Sequence, residues 1–182
     1  MRVKLVAVLV MMVTGSVLAG AQTPARPSSP QPVADAVRTS WEGAKKNIRD
    51  SAMDVPEALY SFKPIDTVRT FGQIVAHVAG ANYEFCSAGK GEKSPKAENA
   101  FEGLATKAAI LQAWNESVTY CDAVYKSLTD KSAAEAINMP FNGGKGVRIA
   151  TLMGNVDHLS EHYGNLVTYM RLKGIVPPTS RR

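Results

Sequence analysis

The chain contains three histidines, His77, His158 and His162, and two of them lie four residues apart. Residues at that spacing project from one face of an α-helix. Neutral imidazole is the commonest ligand for zinc and its divalent neighbours, so His158 and His162 provide two ligands from one element. A third must arrive from elsewhere, and His77 is the only histidine left to supply it. The pattern predicts a divalent-metal site of three imidazoles with an open position for water or substrate. The bland alternative is three unrelated, half-exposed surface histidines. The segment His158-Leu159-Ser160-Glu161-His162 also matches H-x-x-E-H, a zinc-peptidase pattern in which the glutamate activates water. Those enzymes take a further acidic ligand from downstream, and no Asp or Glu follows Glu161, so this match is read as accidental.

Four helices are predicted to carry and surround these residues. Val33, Val37, Trp41, Ala44 and Ile48 recur at helical spacing and place the first helix from Val33 to near Ser51. After a linker with Pro56 and Pro64, Thr70-x-x-Gln73 is a capping box at the start of a second helix, Phe71 to Ala88. Its stripe is Phe71, Ile74, Val75, Val78 and Phe85, with Gly89 as a left-handed stop. A polar loop with Gly91 and Pro95 leads to the third helix, Lys107 to Leu128, whose Leu111, Trp114, Val118, Cys121, Tyr125 and Leu128 form a bundle seam. Residues 136–148, with Pro140 and Asn142-Gly143-Gly144-Lys145-Gly146, read as a turn or small hairpin and lack a phosphate-binding P-loop pattern. The last helix runs from Ile149 to Lys173 and stops at Gly174 and Pro177-Pro178. The economical architecture is an all-α four-helix bundle.

On a helical wheel the three histidines lie at similar offsets from the apolar stripes, flanking the core instead of filling it. Asn155, Asn165 and Tyr169 share the face of the histidine pair, and Gly80 and Ala81 leave space beside His77. These positions predict a polar-lined pocket at a groove or bundle mouth.

Of the 182 residues, 45% are hydrophobic and 20% charged, which suits one globular core. Arg2 and Lys4 precede an apolar run from Leu5 to Val13, and Ala19-Gly20-Ala21 resembles a small-residue cleavage site. Residues 1–21 are therefore read as a signal peptide, giving a periplasmic or secreted protein with no stable membrane anchor after cleavage. The apolar run is shorter than the ~20 residues of a spanning helix. Residues 22–32, with four prolines, form a flexible leader, residues 33–176 the bundle and residues 177–182 a tail. Without Arg2 and Lys4 the formal charge falls from +5 to +3, and no helix face combines clustered Lys and Arg with aromatics, which argues against nucleic acid as a partner. In an oxidising compartment Cys86 and Cys121 invite a disulfide. Two buried free thiols remain an alternative. A thiolate ligand is the weaker reading, because Cys86, nine residues after His77, points to the other side of its helix.

Pro56-Glu57-Ala58-Leu59-Tyr60-Ser61-Phe62-Lys63-Pro64, then Val68-Arg69-Thr70-Phe71-Gly72-Gln73 leading to His77, then His158-x-x-x-His162, together resemble the DinB superfamily over most of residues 33–176. That resemblance implies up-up-down-down connections and a divalent metal, often zinc or nickel, on three histidines matching His77, His158 and His162. Relatives include metal-dependent hydrolases and thiol-dependent transferases or isomerases using glutathione, mycothiol or bacillithiol. Low-molecular-weight thiols serve the reducing cytosol, so export favours a metal-dependent hydrolase over the thiol-dependent class. A noncatalytic metal- or ligand-binding envelope protein is the rival. The expected partners are a small-molecule substrate or ligand and a second copy of the chain in a homodimer.

Overall fold

The structure, a computed structural model, describes residues 29–181 except Asn142, so the expected signal peptide and most of the leader lie outside the described residues. Four long helices dominate: α1 (Pro32–Asp54), α2 (Phe71–Lys90), α3 (Lys107–Ser127) and α5 (Arg148–Leu172), with a single-turn α4 (Asp130–Ala133) between α3 and α5. The expected all-α bundle is present. No helix among the described residues is long and apolar enough to cross a membrane. Before α5, β1 (Ala136–Asn138) and β2 (Lys145–Val147) pair antiparallel with Ile137 opposite Gly146, which is the expected hairpin.

α1 begins one residue earlier than predicted. Pro32 occupies its first turn, where a missing N–H costs nothing. The core stripe of α1 starts at Ala34, while Val33 is 44% exposed. Gln31 provides no side-chain cap, and a distant residue replaces it: Ala34 N donates to Asp130 Oδ1 at 2.8 Å, and Asp130 N donates back to Gln31 Oε1 at 2.6 Å. A carboxylate there also complements the helix dipole. The carboxyl ends of the long helices are served in the same crosswise way. Lys107 Nζ donates to Val55 O at 2.7 Å, Arg38 Nη1 to Leu128 O at 2.7 Å and Arg148 Nε to Gly89 O at 2.8 Å. None of these pairings has a local sequence signature, and together they lock the order of the helices.

α2 packs on α3 and α5, and α1 packs on the same two helices from the other side, so α1 and α2 are diagonal neighbours. The 55–70 connection spans that diagonal and is pinned on the way. Tyr60 Oη donates to Ala52 O at 2.6 Å, Phe71 N to Phe62 O at 2.9 Å and Tyr169 Oη to Arg69 O at 2.8 Å. The Thr70–Gln73 capping box then starts α2 as expected. Trp41 stacks on Tyr125 at 4.5 Å, and Trp114, Phe71, Ile48, Leu152 and Leu166 fill the rest of the core. In α3 the buried seam moves one position from the predicted stripe: Ile110 and Ser117 are buried, while Leu111 and Val118 lie at its edge.

α2 runs through Gly89, and the left-handed stop is Gly91, φ 82°. Gly89 is needed for close packing, since a Cβ there would come within 2.9 Å of Leu152. Gly80 makes a tighter approach. A Cβ on it would fall 1.9 Å from the carbonyl oxygen of Glu98, so the α2–α3 loop lies directly on the helix. The space expected beside His77 is filled by backbone. Cys86 and Cys121 form a disulfide between α2 and α3 with Cα atoms 5.4 Å apart. The thiolate-ligand and free-thiol readings are thereby excluded.

Two stability measurements follow from this packing. Gly80→Ala should lower the urea denaturation midpoint by an amount corresponding to about 1–3 kcal/mol of overpacking, and an unchanged midpoint would contradict the close approach. Replacing both cysteines by alanine should cost about 3–4 kcal/mol, the loop-closure estimate for a bridge spanning some 35 residues, read from the same denaturation curves.

Candidate metal centre

His77 projects from α2, and His158 and His162 project from adjacent turns of α5, the helix packed beside it. His77 Nε2 lies 3.2 Å from His158 Nε2, and His162 Nε2 lies 3.1 Å from the same atom. The three ligand atoms fall within 4.8 Å of one another. The predicted residues are therefore brought together. Their surroundings differ from the wheel, because His77 and His162 are buried and only His158 is half-buried. A wheel centred on one stripe assumes one packed face, whereas α2 is covered by α3, α5 and the α2–α3 loop.

Each ring is set differently at its second nitrogen. His77 Nδ1 lies 3.0 Å from Glu102 Oε1, and Arg69 holds that carboxylate through Nε at 3.2 Å and Nη2 at 3.1 Å. An Nδ1 proton donated to Glu102 would leave the Nε2 lone pair of His77 facing its neighbours. The Asn165 amide is 3.3 Å from His162 Nδ1, and its carbonyl end turned to the ring would fix the same tautomer. His158 Nδ1 is buried without a hydrogen-bond partner, and the Phe85 ring packs 5.6 Å away.

Burial, and then the neighbouring imidazoles, push His158 down to about 3; burial and then His77 push His162 down to about 4. Both rings are thus neutral at neutral pH and present lone pairs. Which of these nitrogens carries a proton depends on the tautomer, and every ring that turns a lone pair inward offers it to a cation. A tetrahedral ion with ~2.0 Å zinc–nitrogen bonds separates its ligand atoms by roughly 3.3 Å. Chemistry and spacing of the donor set both fit a divalent cation.

A cleft of about 840 Å³ opens on one side of the cluster, lined by Ile65, Val68, Arg69, Glu102, His162 and Asn165 among others. Asn165 and Tyr169 face it as expected. Asn155 does not, being fully buried with Nδ2 3.3 Å from Tyr125 Oη and close to the disulfide. Its place on the wheel was right, but that sector turns inward one helical turn before the histidines. Glu161 is exposed and lines the cleft, outside the group of mutually close ligand atoms. Sequence reasoning missed Glu98, whose Oε1 is 3.5 Å from His77 Nε2, together with Glu102 and Arg69. The only available signal was the Glu98-x-x-x-Glu102 pair inside a loop read as a connection, with Gly80 to receive it.

The sequence profile of the DinB superfamily matches residues 40–166. No curated protein sequence matches the chain. Among solved structures, a DinB-like protein from Bacillus cereus superposes with a TM-score of 0.67 at 17% identity, covering 79% of this chain and 95% of that one. A DinB-like protein from Bacillus subtilis gives 0.63 at 20% identity, covering 81% and 99%. A mycothiol-dependent maleylpyruvate isomerase gives 0.61 at 17% identity, covering 73% of this chain and 60% of that one. At these identities the structures establish a shared fold, while the profile spans most of the chain and all three histidines; the chain belongs to the DinB superfamily.

Proposed function

We propose that this protein is an exported metal-dependent hydrolase in which His77, His158 and His162 hold one divalent ion, zinc or nickel, at the edge of the cleft. The observation that carries the reading is the convergence of three imidazole nitrogens from two helices. Imidazole donors suit zinc and nickel alike. The ion would supply Lewis acidity towards a water or a substrate carbonyl oxygen. The protein's residues supply position. Glu102, clamped by Arg69, fixes the His77 ring, and Asn165 sits against His162. Ile65 and Val68, both exposed, give the cleft an apolar wall opposite these polar groups, which suits a small ester or amide with an apolar part.

Export is supported by the basic-apolar-small pattern of residues 1–21 and by the Cys86–Cys121 bridge, which persists in oxidising compartments. A thiol-dependent transferase or isomerase is the second reading, favoured by the fold shared with the mycothiol-dependent isomerase. The same bridge weighs against it, because a compartment that maintains disulfides is poor in reduced small thiols.

Purified without chelator or polyhistidine tag, the protein should carry close to one zinc or nickel per chain by elemental mass spectrometry. His77→Ala and His158→Ala should lose that metal and any turnover on an ester and amide panel. Stoichiometric metal without turnover would support the noncatalytic binding reading instead. Consumption of an electrophile only with added thiol would support the second.

Acid should act on the same centre. Unfolded histidine takes up a proton near pH 6.5, while folded His158 and His162 resist it until about 3 and 4. Between these values the unfolded state binds more protons, so stability falls as pH drops. For chelated protein, melting temperature should decline steadily from pH 6.5 to pH 4, and the decline should be smaller in His158→Ala. A flat profile would count against burial of the neutral rings.

A further inference from the structure

The α2–α3 loop brackets the His77 ring with two carboxylates. Glu102 takes Nδ1, and this is enough to orient the ring. Glu98 sits at the other nitrogen, its Oε1 3.5 Å from the Nε2 atom that also faces His158 at 3.2 Å. Ligand atoms around one tetrahedral ion lie roughly 3.3 Å apart; this oxygen is near that spacing from His77 but stands outside the histidine group, and a turn of its side chain would bring it in as a fourth donor. The backbone that carries Glu98 is held in place. Gly80 lies one turn beyond His77, and the Glu98 carbonyl rests where a Cβ of that residue would be, 1.9 Å away. Any other residue at position 80 would push the loop, and Glu98 with it, off the helix.

We propose that Glu98 is a fourth, displaceable ligand of the ion held by His77, His158 and His162. The proposal rests on the metal reading of that cluster. The three imidazoles are fixed by packing, whereas the Glu98 side chain is 42% exposed and free to turn outward when a substrate oxygen arrives. Its charge also offsets the ion, leaving the resting centre less positive than three neutral imidazoles would. The nearby Glu84 carboxyl is pushed up by burial and then by the charge of Glu98, a repulsion that a cation at Glu98 would relieve. The competing reading is that Glu98 merely accepts a hydrogen bond from His77 Nε2–H in metal-free protein. In that case it competes with the ion, and removing it tightens binding.

The two readings predict opposite signs for Glu98→Gln. Cobalt(II) and zinc(II) affinities are measured by competition with a chromophoric chelator for wild type, Glu98→Gln and His158→Ala, with the visible spectrum of each cobalt-loaded protein. Glu98→Gln is expected to keep the wild-type melting curve without metal and bind one ion with affinity reduced about tenfold to a hundredfold, with altered cobalt bands. Equal or tighter binding with unchanged bands overturns the proposal and leaves the three-histidine centre standing. A wild type that binds neither cobalt nor zinc, or a His158→Ala that binds them equally well, overturns the centre itself and the proposal with it.

Discussion

The enclosure of α2 is the constraint from which the site follows. Of its 20 residues, 15 are buried, because α3, α5 and the α2–α3 loop each cover a different side. A helix covered on so many sides tolerates large side chains only where a neighbour leaves room. It therefore carries Ala76, Ala79, Gly80, Ala81 and Gly89 at the close contacts. His77 lies within that crowded stretch, and burying an imidazole is costly unless its polar atoms are met. Glu102 meets one nitrogen, and its charge is in turn balanced by Arg69, whose backbone is tied to α5 through Tyr169. The ring is held at the end of a chain of contacts linking both helices and both long connections.

The helices and the histidine cluster were legible in the sequence because each depends on local periodicity. The capping box at Thr70, the stop after α5 at Gly174 and the hairpin around Gly144 are short-range signals, and the structure places all three where the sequence does. The errors share one cause. A wheel treats a helix as having one buried face, so it put His77 and His162 at the flank and left Asn155 facing a pocket. α2 is covered on several sides and α5 packs on both α1 and α2, so those flank positions became interior. Glu98, Glu102 and the cap that Asp130 gives to α1 were invisible for another reason: each is a contact between segments far apart in the chain, made by residues in a loop or a single-turn helix too short to carry a period.

The disulfide clarifies how the bundle protects this centre. Cys86 lies nine residues beyond His77, on the side of α2 that faces α3, and Cys121 anchors it there. The bridge therefore fixes the axis of α2 while its sulfurs stay out of the histidine cluster. Asn155 packs beside the two sulfurs and reaches Tyr125, whose hydroxyl donates to Leu152 O in α5. α2, α3 and α5 are thus tied together about one to three helical turns from the histidines, and this layer sets the spacing between the imidazole-bearing helices. Such support is what a site needs when its ligand atoms must be held within a fraction of an ångström.

The cleft is more selective than its size implies, because several of its polar groups are already committed. Arg69 faces it, yet two of its nitrogens hold Glu102, so it offers less to an incoming anion than a free arginine would. The Tyr169 hydroxyl donates to Arg69 O and so positions the loop instead of greeting substrate. Asp66, Glu102 and Glu161 outnumber the single arginine along the walls, which disfavours strongly anionic ligands. What remains for recognition is the Asn165 amide, the apolar pair Ile65 and Val68, and the cleft-facing side of His162. Under the proposed hydrolase reading, a compact, uncharged or weakly cationic carbonyl compound is the class expected to suit these groups. It would lay its apolar part along the 64–68 segment while its oxygen reaches towards His162.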